Sequence, residues 1–187
     1  MKSLTTNSKI CFIDFETTGI DIFKDEPVEF GAVLVDENGN RINEFYSRIS
    51  LSNPALKNND AVSVHGIDYA SLINSPSQAE VLTDFFQKFG YDFHFGAWNT
   101  TFDVPFFKKM CSVNKFDNLY NKISYRHLDV QSISKLAACI NIIRPDIKSL
   151  TDCIEYFGLI RSIHHNAMED AILCHEVHKK FIEIFTK

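Results

Sequence analysis

The chain has few cysteines, and none of them forms a CxxC pair. The five cysteines, an odd number, stand far apart at Cys11, Cys111, Cys139, Cys153 and Cys174. A disulfide framework and a structural zinc site are therefore not expected, and a reducing cytoplasm is the predicted compartment.

Long apolar segments are also missing. No uninterrupted apolar run approaches the ~18 residues that are needed to span a bilayer. Residues 1–8 are polar and lack the apolar stretch of a signal peptide, so we expect no membrane partner and predict that they form a short flexible tail. Because the 187 residues contain no repeat, low-complexity stretch or linker, a single domain over residues 1–187 is predicted.

Positive charge is scarce as well. The net charge is −5 at pH 7, and residues 1–100 carry 7 Lys or Arg against 14 Asp or Glu, whereas residues 101–187 carry 12 against 10. Binding of nucleic acid through a large basic surface is disfavoured, because each neutralised phosphate needs a Lys or Arg. A site in which metal ions meet the phosphate is not disfavoured, since four carboxylates holding two divalent ions would change the net charge to about −1.

What is present is a regular succession of strand-like and helical stretches, which begins with three apolar runs. These runs predict β-strands over residues 9–14, 28–35 and 41–49. The turn signal Asp-Glu-Asn-Gly-Asn at residues 36–40 joins the second run to the third, and such short links indicate an antiparallel meander. The Asn-Pro and Asn-Asn-Asp clusters within residues 53–60 predict a loop.

The rest of the chain predicts helices that alternate with two further strands. Ser77-x-x-Glu80 is a capping box at a helix start, and Pro105 requires its helix to begin only a few residues earlier. An antiparallel meander followed by helix-linked strands indicates an α/β fold, in which a mixed five-stranded sheet has its later strands parallel to the first and is flanked by helices. The predicted strands cover residues 93–98 and 125–129, and the predicted helices cover residues 77–89, 104–113, 130–140, 150–157 and 167–185.

The first chemical motif is Asp14-Phe15-Glu16 at the end of the first strand. Because side chains alternate along a strand, Asp14 and Glu16 project from the same side. The two carboxylates repel each other unless a cation lies between them, and oxygen ligands of this kind suit Mg²⁺ or Mn²⁺. Taken alone, the pattern is more common as a solvated turn with two acids, so it needs support from other parts of the chain.

The second motif follows the fourth predicted strand and ends at Asp103, in the first turn of the next helix. Ligands collect at the carboxyl ends of parallel strands in sheets of this type. If the first and fourth strands are parallel, Asp103 can face Asp14 and Glu16. The alternative is that Asp103 only complements the helix dipole.

The third motif lies before and within the last helix. Asn166-x-x-Glu169 resembles a capping box and predicts a helix start near Ala167. His165 then stands in the preceding loop and Asp170 about one turn inside the helix, so the two side chains can converge. A loop histidine of near-neutral pKa is suited to act as a general base, although a plain surface histidine is the alternative.

Together these motifs resemble the DEDD exonuclease superfamily in its histidine-bearing subgroup (DEDDh), to which the epsilon proofreading subunit of bacterial DNA polymerase III and RNase T belong. Val64-His65-Gly66-Ile67 is similar to a His-Gly-Ile segment of proofreading exonucleases, and Asp129 matches another acid of the family. The spacing His-x-Ala-x-x-Asp favours His165 over His164. The matching motifs are Asp14-x-Glu16-Thr17-Thr18-Gly19, Asn99-x-x-Phe102-Asp103 and His165-x-Ala167-x-x-Asp170.

The resemblance implies a ribonuclease H-like fold and a metal-dependent 3′→5′ exonuclease that releases nucleoside 5′-monophosphates from single-stranded DNA. It implies that His165 accepts a proton from the attacking water. It also implies that two divalent ions, Mg²⁺ or Mn²⁺, are held by four carboxylates, those of Asp14, Glu16, Asp103 and Asp170.

The same resemblance implies contacts to the 3′-terminal nucleotide. Phe15 and Phe102 are expected either to stack on bases or to be plain core residues, and Thr17 or Thr18 could offer a hydroxyl or N–H group to the terminal sugar. Trp98 stands where proofreading relatives often have histidine. The full set of implied substrate contacts is Phe15, Thr17, Thr18, His65, Asn99 and Phe102.

Partners and rival functions follow from the same comparison. The chain stops right after the predicted last helix, without the tail by which the epsilon subunit docks on its polymerase, so a stand-alone enzyme, monomer or homodimer, is expected. An exoribonuclease of the RNase T or oligoribonuclease type is the alternative, although oligoribonucleases usually have Met where Thr17 stands. A non-catalytic module that binds 3′ ends is a further alternative, which the intact set of acids disfavours.

Overall fold

The structure is a computed structural model that describes residues 8–163 and 165–186. Its five strands form one mixed sheet, and they are β1 (Ile10–Thr17), β2 (Pro27–Val35), β3 (Arg41–Arg48), β4 (His94–Ala97) and β5 (Ser124–Asp129). The spatial order is β3-β2-β1-β4-β5. β1, β2 and β3 pair antiparallel, whereas β4 is parallel to both β1 and β5. The predicted α/β fold, with a meander and parallel strands in one sheet, is therefore confirmed.

Seven α-helices follow or connect these strands within the described residues. The 3₁₀ helices Pro54–Leu56 and Tyr69–Leu72 lie on either side of the first one. No helix in the described part of the chain combines the length and apolar character that crossing a membrane requires. The α-helices are α1 (Asn59–His65), α2 (Gln78–Phe89), α3 (Thr100–Val113), α4 (Asp117–Tyr120), α5 (Val130–Cys139), α6 (Leu150–Tyr156) and α7 (Ala167–Phe185).

The loop predicted within residues 53–60 is wrong in part, because α1 begins there. Asn58 is the N-cap of α1, and its side chain accepts a hydrogen bond from the backbone N–H of Asp60 at 2.9 Å. Asparagine is favoured both in loops and at N-caps, so the sequence signal had two meanings. The one-turn helix α4 was also not predicted.

Helix caps explain where the longer helices begin. The predicted capping box of Ser77 and Glu80 is present in both directions at the start of α2. At the start of α7 only half of the expected box forms, since the side chain of Asn166 accepts from the backbone N–H of Glu169 at 3.1 Å. The carboxylate of Glu169 turns instead to the backbone N–H groups of Ser162 and Ile163, and thereby fixes the segment that enters the helix.

Both faces of the sheet are covered, which is why every residue of β2 is buried. One face packs on α2 and α3 through a cluster of phenylalanines, in which Phe30, Phe85 and Phe107 contact one another with ring centroids 5.2–5.8 Å apart. The other face packs on α5, α6 and α7. The central strands β1 and β4 are thereby held rigidly between two cores.

The predicted N-terminal tail falls almost entirely on residues 1–7, which lie outside the described residues. Ser8 is described, and its hydroxyl is hydrogen-bonded to the ring Nε2 of His94 on β4. The one-domain assignment stays a prediction.

Candidate functional site

The first three predicted acids meet where β1 approaches the start of α3. Asp14 and Glu16 lie two residues apart on β1, so their side chains share one side of the strand. Asp103 is buried in the first turn of α3, and its Oδ1 accepts a hydrogen bond from the backbone N–H of Phe15 at 3.0 Å. This bond ties Asp103 to the residue between Asp14 and Glu16, as the parallel pairing of β1 and β4 predicts.

The start of α7 brings the fourth acid to the same place. A Cβ atom on Gly31 of β2 would lie 2.2 Å from the backbone of Ala167, so only glycine allows this close approach. The buried Glu29 reinforces it, because its Oε1 accepts hydrogen bonds from the N–H of Ala167 at 2.9 Å and from Nδ2 of Asn166 at 3.1 Å. β2 thereby fixes the helix turn that carries Asp170.

Glu16, His165 and Asp170 form the tightest part of the site. Each offers one ligand atom, and these three atoms lie within 4.8 Å of one another. His165 is exposed and has a φ of 52°, in the left-handed region, just before the N-cap of α7. The competing His164 lies outside the described residues. Asp14 and Asp103 lie outside this group of three. They still interact with it electrostatically, because, in addition to burial, Asp103 raises the pKa of Glu16, and Asp170 and Glu16 raise the pKa of Asp14.

The carboxylates raise one another's pKa. Burial, followed by the negative charges of Asp103 and Asp170, raises the pKa of Asp14 well above its usual range. Burial raises the pKa of Asp103 to about 8, and burial together with the charge of Asp170 raises that of Glu16 to about 8. The protein itself therefore does not supply enough positive charge to keep all of these groups ionised.

Arg161 supplies a positive charge inside the cluster, and the sequence motifs did not predict it. Its Nη2 donates to Oδ1 of Asp170 at 2.6 Å and its Nη1 to the hydroxyl of Thr151 at 2.9 Å. The side chain of Arg161 is only 6% exposed. Its charge lowers the pKa of Asp14, Glu16 and Asp170, although burial keeps all three raised.

The donor set fits a divalent cation. Four carboxylates converge with one guanidinium and one exposed imidazole. Within residues 8–163 and 165–186, no protein donor forms a hydrogen bond with the carboxylates of Asp14 and Glu16. Oxygen ligands of this kind suit Mg²⁺ or Mn²⁺. A bound cation would supply the charge that the raised pKa values call for.

Phe15 and Thr18, two of the predicted substrate contacts, are buried. The ring of Phe15 is 4% exposed and stacks on Phe30, with centroids 4.4 Å apart, which agrees with the alternative that it is a core residue. Thr18 is fully buried, and its hydroxyl donates to Oδ1 of Asp25 and accepts from the N–H of Glu26. Its side chain holds the loop after β1 rather than a sugar.

Thr17 and Asn99 are also engaged with the protein itself. The hydroxyl of Thr17 donates to the carbonyl of Gly19 at 2.6 Å. Asn99 is the N-cap of α3, where its Oδ1 accepts from the N–H and hydroxyl of Thr101. The direct structural effect of Asn99 is thus to start the helix that carries Asp103.

His65 and Phe102 keep groups that a ligand could reach. His65 ends α1 and is buried, its Nδ1 accepts from the N–H of Ile67 at 2.9 Å, and its Nε2 has no partner of good geometry among the described residues. Burial lowers the pKa of His65, against an opposing effect of the Thr17 backbone. Phe102 is half-buried, with its ring 5.0 Å from that of Phe106.

Asp129 and Trp98 support the site from beside it. Asp129 caps α5, with Oδ1 accepting from the N–H of Ser132 at 2.7 Å and Oδ2 from that of Thr100 at 2.9 Å. Although burial raises the pKa of Asp129, these hydrogen bonds lower it overall. Trp98 is half-buried against the core on the α5–α7 face. Asp129 therefore joins the end of β5 to the start of α3.

Comparison with known proteins gives consistent matches over nearly the whole chain. A family model described as an exonuclease, RNase_T, matches residues 11–177. The PolC-type DNA polymerase III of Thermotoga petrophila is 29% identical over 181 residues, 97% of this chain but 12% of that protein. The epsilon subunit of DNA polymerase III from Aquifex aeolicus is 30% identical over 174 residues, 91% of this chain and 79% of that protein. The chain thus spans about an eighth of the PolC-type relatives.

Solved structures match the fold at lower identity. Exonuclease I of E. coli, in complex with a dT13 oligonucleotide, has a TM-score of 0.80 at 20% identity and covers 93% of this chain and 41% of its own. Exonuclease I of Methylocaldum szegediense has a TM-score of 0.80 at 18% identity, over 96% of this chain and 42% of its own. The ribonuclease H-like fold that the motifs imply is confirmed.

Proposed function

The chain belongs to the exonuclease family whose model matches residues 11–177, and from that premise we propose that it is a metal-dependent 3′→5′ exonuclease that acts on single-stranded DNA. The observation that carries the proposal is the convergence of Glu16, His165 and Asp170 within 4.8 Å, with Asp14 and Asp103 in electrostatic contact. A phosphodiester is anionic, so a cluster of acids can act on it only with cations between the two.

Asp14, Glu16, Asp103 and Asp170 would hold two divalent ions, Mg²⁺ or Mn²⁺. When bound, such ions lower the pKa of a water molecule and stabilise the charge on the leaving 3′-oxygen. The protein's own part is positional. The hydrogen bond from Phe15 holds Asp103, and the contact of α7 with β2 holds Asp170.

His165 is proposed as the general base that accepts the proton of the attacking water. It is exposed, stands outside the helix, and lies next to Glu16 and Asp170. These two carboxylates can stabilise the imidazolium that proton transfer creates. Hydrolysis then leaves a 3′-hydroxyl on the shortened strand and a nucleoside 5′-monophosphate as the product.

DNA is proposed as the substrate because the relatives named above are DNA polymerase III proteins and the matched fold includes an exonuclease I that was solved with a DNA oligonucleotide. The oligomeric state, monomer or homodimer, stays a prediction. A 3′→5′ exoribonuclease is the alternative that the experiment below separates.

The test is a 5′-labelled single-stranded oligonucleotide incubated with the purified protein and Mg²⁺ or Mn²⁺. We expect a ladder of products that shorten by one nucleotide, no products in EDTA, and a higher kcat/KM for DNA than for the RNA of the same sequence. A higher kcat/KM for RNA would transfer the proposal to the ribonuclease alternative. Tight binding of 3′ ends without cleavage under either metal would contradict it.

A further inference from the structure

A large open cavity lies between the loop after β1 and helix α3. Its volume is about 700 Å³. Thr100 and Thr101, which line it, lie in the same first turn of α3 as Asp103. From there the cavity follows α3 past Val104 and Lys108. We call this cavity the α3 groove, and it begins in the helix turn that carries Asp103.

The charge of the α3 groove differs from that of the whole chain. The chain carries a net charge of −5, yet Lys108 and Lys109 line the groove, and no carboxylate does so among the described residues. Lys109 is engaged, since its Nζ donates to the carbonyl of Asp25 at 2.9 Å and holds the loop after β1. Lys108 is exposed, so its charge is available to an anion.

The walls of the groove are apolar and aromatic. Phe23 is 90% exposed at the tip of the loop after β1, although it is a large hydrophobic residue. Tyr120, at the end of α4, lies on the other side with its ring centroid 6.0 Å from Nζ of Lys108. Aromatic rings and an exposed lysine thus line the same groove. This combination suits single-stranded nucleic acid, because bases stack on rings and phosphates meet the charge.

We propose that the α3 groove binds the single-stranded DNA just upstream of the nucleotide that is removed, with Lys108 on a phosphate and Phe23 against a base. The proposal rests on the proposed function, because the groove is placed relative to that site. It predicts that longer substrates bind more tightly than short ones, since a substrate of one nucleotide cannot reach the groove.

The experiment compares a short and a long substrate in matched variants. Phe23→Ala and Lys108→Ala are assayed against the p-nitrophenyl ester of thymidine 5′-monophosphate and against the oligonucleotide dT12. The controls are Ile73→Ala, an exposed apolar residue before α2, and Lys88→Ala, an exposed lysine near the opposite sheet edge. We expect KM for dT12 to rise about 10-fold in each groove variant, with the ester hydrolysed within about 2-fold of wild type.

The salt dependence gives a second readout. In Lys108→Ala, the slope of log kcat/KM for dT12 against log salt should become less steep by about 0.7, the share of one phosphate contact on a single strand. Equal losses on the ester and on dT12, or no loss on dT12, would overturn the proposal.

Binding in the absence of turnover separates this proposal from the proposed function. Fluorescence anisotropy of labelled dT12 in EDTA should show Kd values at least about 5-fold weaker for Phe23→Ala and Lys108→Ala than for the two controls. If wild type hydrolyses neither substrate but this difference in Kd remains, the proposed function is wrong, whereas the proposal that the groove binds DNA is supported. Equal Kd values in all variants would overturn the groove.

Discussion

Glu16 and Glu29 face each other across β1 and β2, but the protein treats them differently. Glu29 is 2% exposed, and its oxygens accept hydrogen bonds from Asn166, Ala167 and Tyr46. Glu16 receives no hydrogen bond from the described residues, and burial beside other acids raises its pKa to about 8. The fold therefore supplies hydrogen-bond donors to Glu29, which holds α7 in place, but none to Glu16, which depends on a bound cation or proton for neutralisation. The following experiments test that contrast.

The largest expected effect comes from removing one charge of the unsatisfied cluster. In Asp14→Asn, kcat/KM on a labelled oligonucleotide should fall about 10³-fold or more, because a proposed metal ligand is lost. The Tm in EDTA should stay the same or rise, since the substitution removes an acid whose ionisation is opposed by burial and by the neighbouring acids. Asp84→Asn, on the exposed side of α2, is the control. An Asp14→Asn protein that still cleaves would contradict the assignment.

The next effect concerns the single positive charge in the cluster. Arg161→Gln leaves Asp170 without its buried partner, so the free energy of unfolding in EDTA should fall by about 3 kcal/mol. Saturating Mn²⁺ should then raise the Tm more in this variant than in wild type, because the cation replaces the lost charge. Arg144→Gln, which breaks an exposed pair with Asp146, should change neither value. Unchanged stability of Arg161→Gln in EDTA would show that the ion pair does not act as described.

Replacing Glu29, the hydrogen-bonded acid, should lower stability more and activity less than Asp14→Asn does. Glu29→Gln weakens charge-assisted hydrogen bonds at the start of α7, so the free energy of unfolding should fall by about 2 kcal/mol. Activity should fall only about 10-fold, because the carboxylate of Asp170 is displaced rather than removed. Thermal denaturation and the cleavage assay measure the two effects, with the exposed Glu44→Gln as the control. An equally stable Glu29→Gln would remove the contrast on which this account depends.

The smallest expected effect is a pH dependence of the metal-free protein. Folding raises the pKa of Glu16 from 4.5 and that of Asp103 from 3.8, both to about 8. The folded state therefore binds more protons, and the contribution of these groups to stability is lost as the pH rises through this interval. In EDTA, wild type should lose more Tm than Asp103→Asn between pH 5 and pH 8.5. An equal loss would show that Asp103 is ionised throughout.

The sequence predicted the parts of the site that depend on local rules. The strand alternation of Asp14 and Glu16, the first-turn position of Asp103 and the helix start before Asp170 each follow from a pattern of a few residues. Such patterns predict the folded structure well because they depend only on local backbone geometry and helix caps. The antiparallel meander and the parallel direction of the later strands followed from link lengths in the same way, whereas the spatial order of the strands was not predicted.

The site residues that the sequence did not predict depend on contacts that only the folded chain creates. Glu29 contacts Ala167 across 138 positions in the chain, and its only signal is a lone charge within an apolar strand, which needs a partner if it is buried. Arg161 belongs to no motif and becomes significant only where it meets Asp170. Phe15 shows a different limit, since its position in the motif allowed either a substrate contact or a core role, and only the fold shows that its ring packs in the core.

The most direct test of the central claim, that four acids of this cluster form a divalent-metal centre, is calorimetric titration of the metal-free protein with Mn²⁺ at pH 8. The account predicts two ions per chain in wild type and in Asp84→Asn, and a loss of at least one of them in Asp14→Asn and in Asp103→Asn. Wild-type protein that binds no Mn²⁺, or variants that bind it as wild type does, would contradict the account.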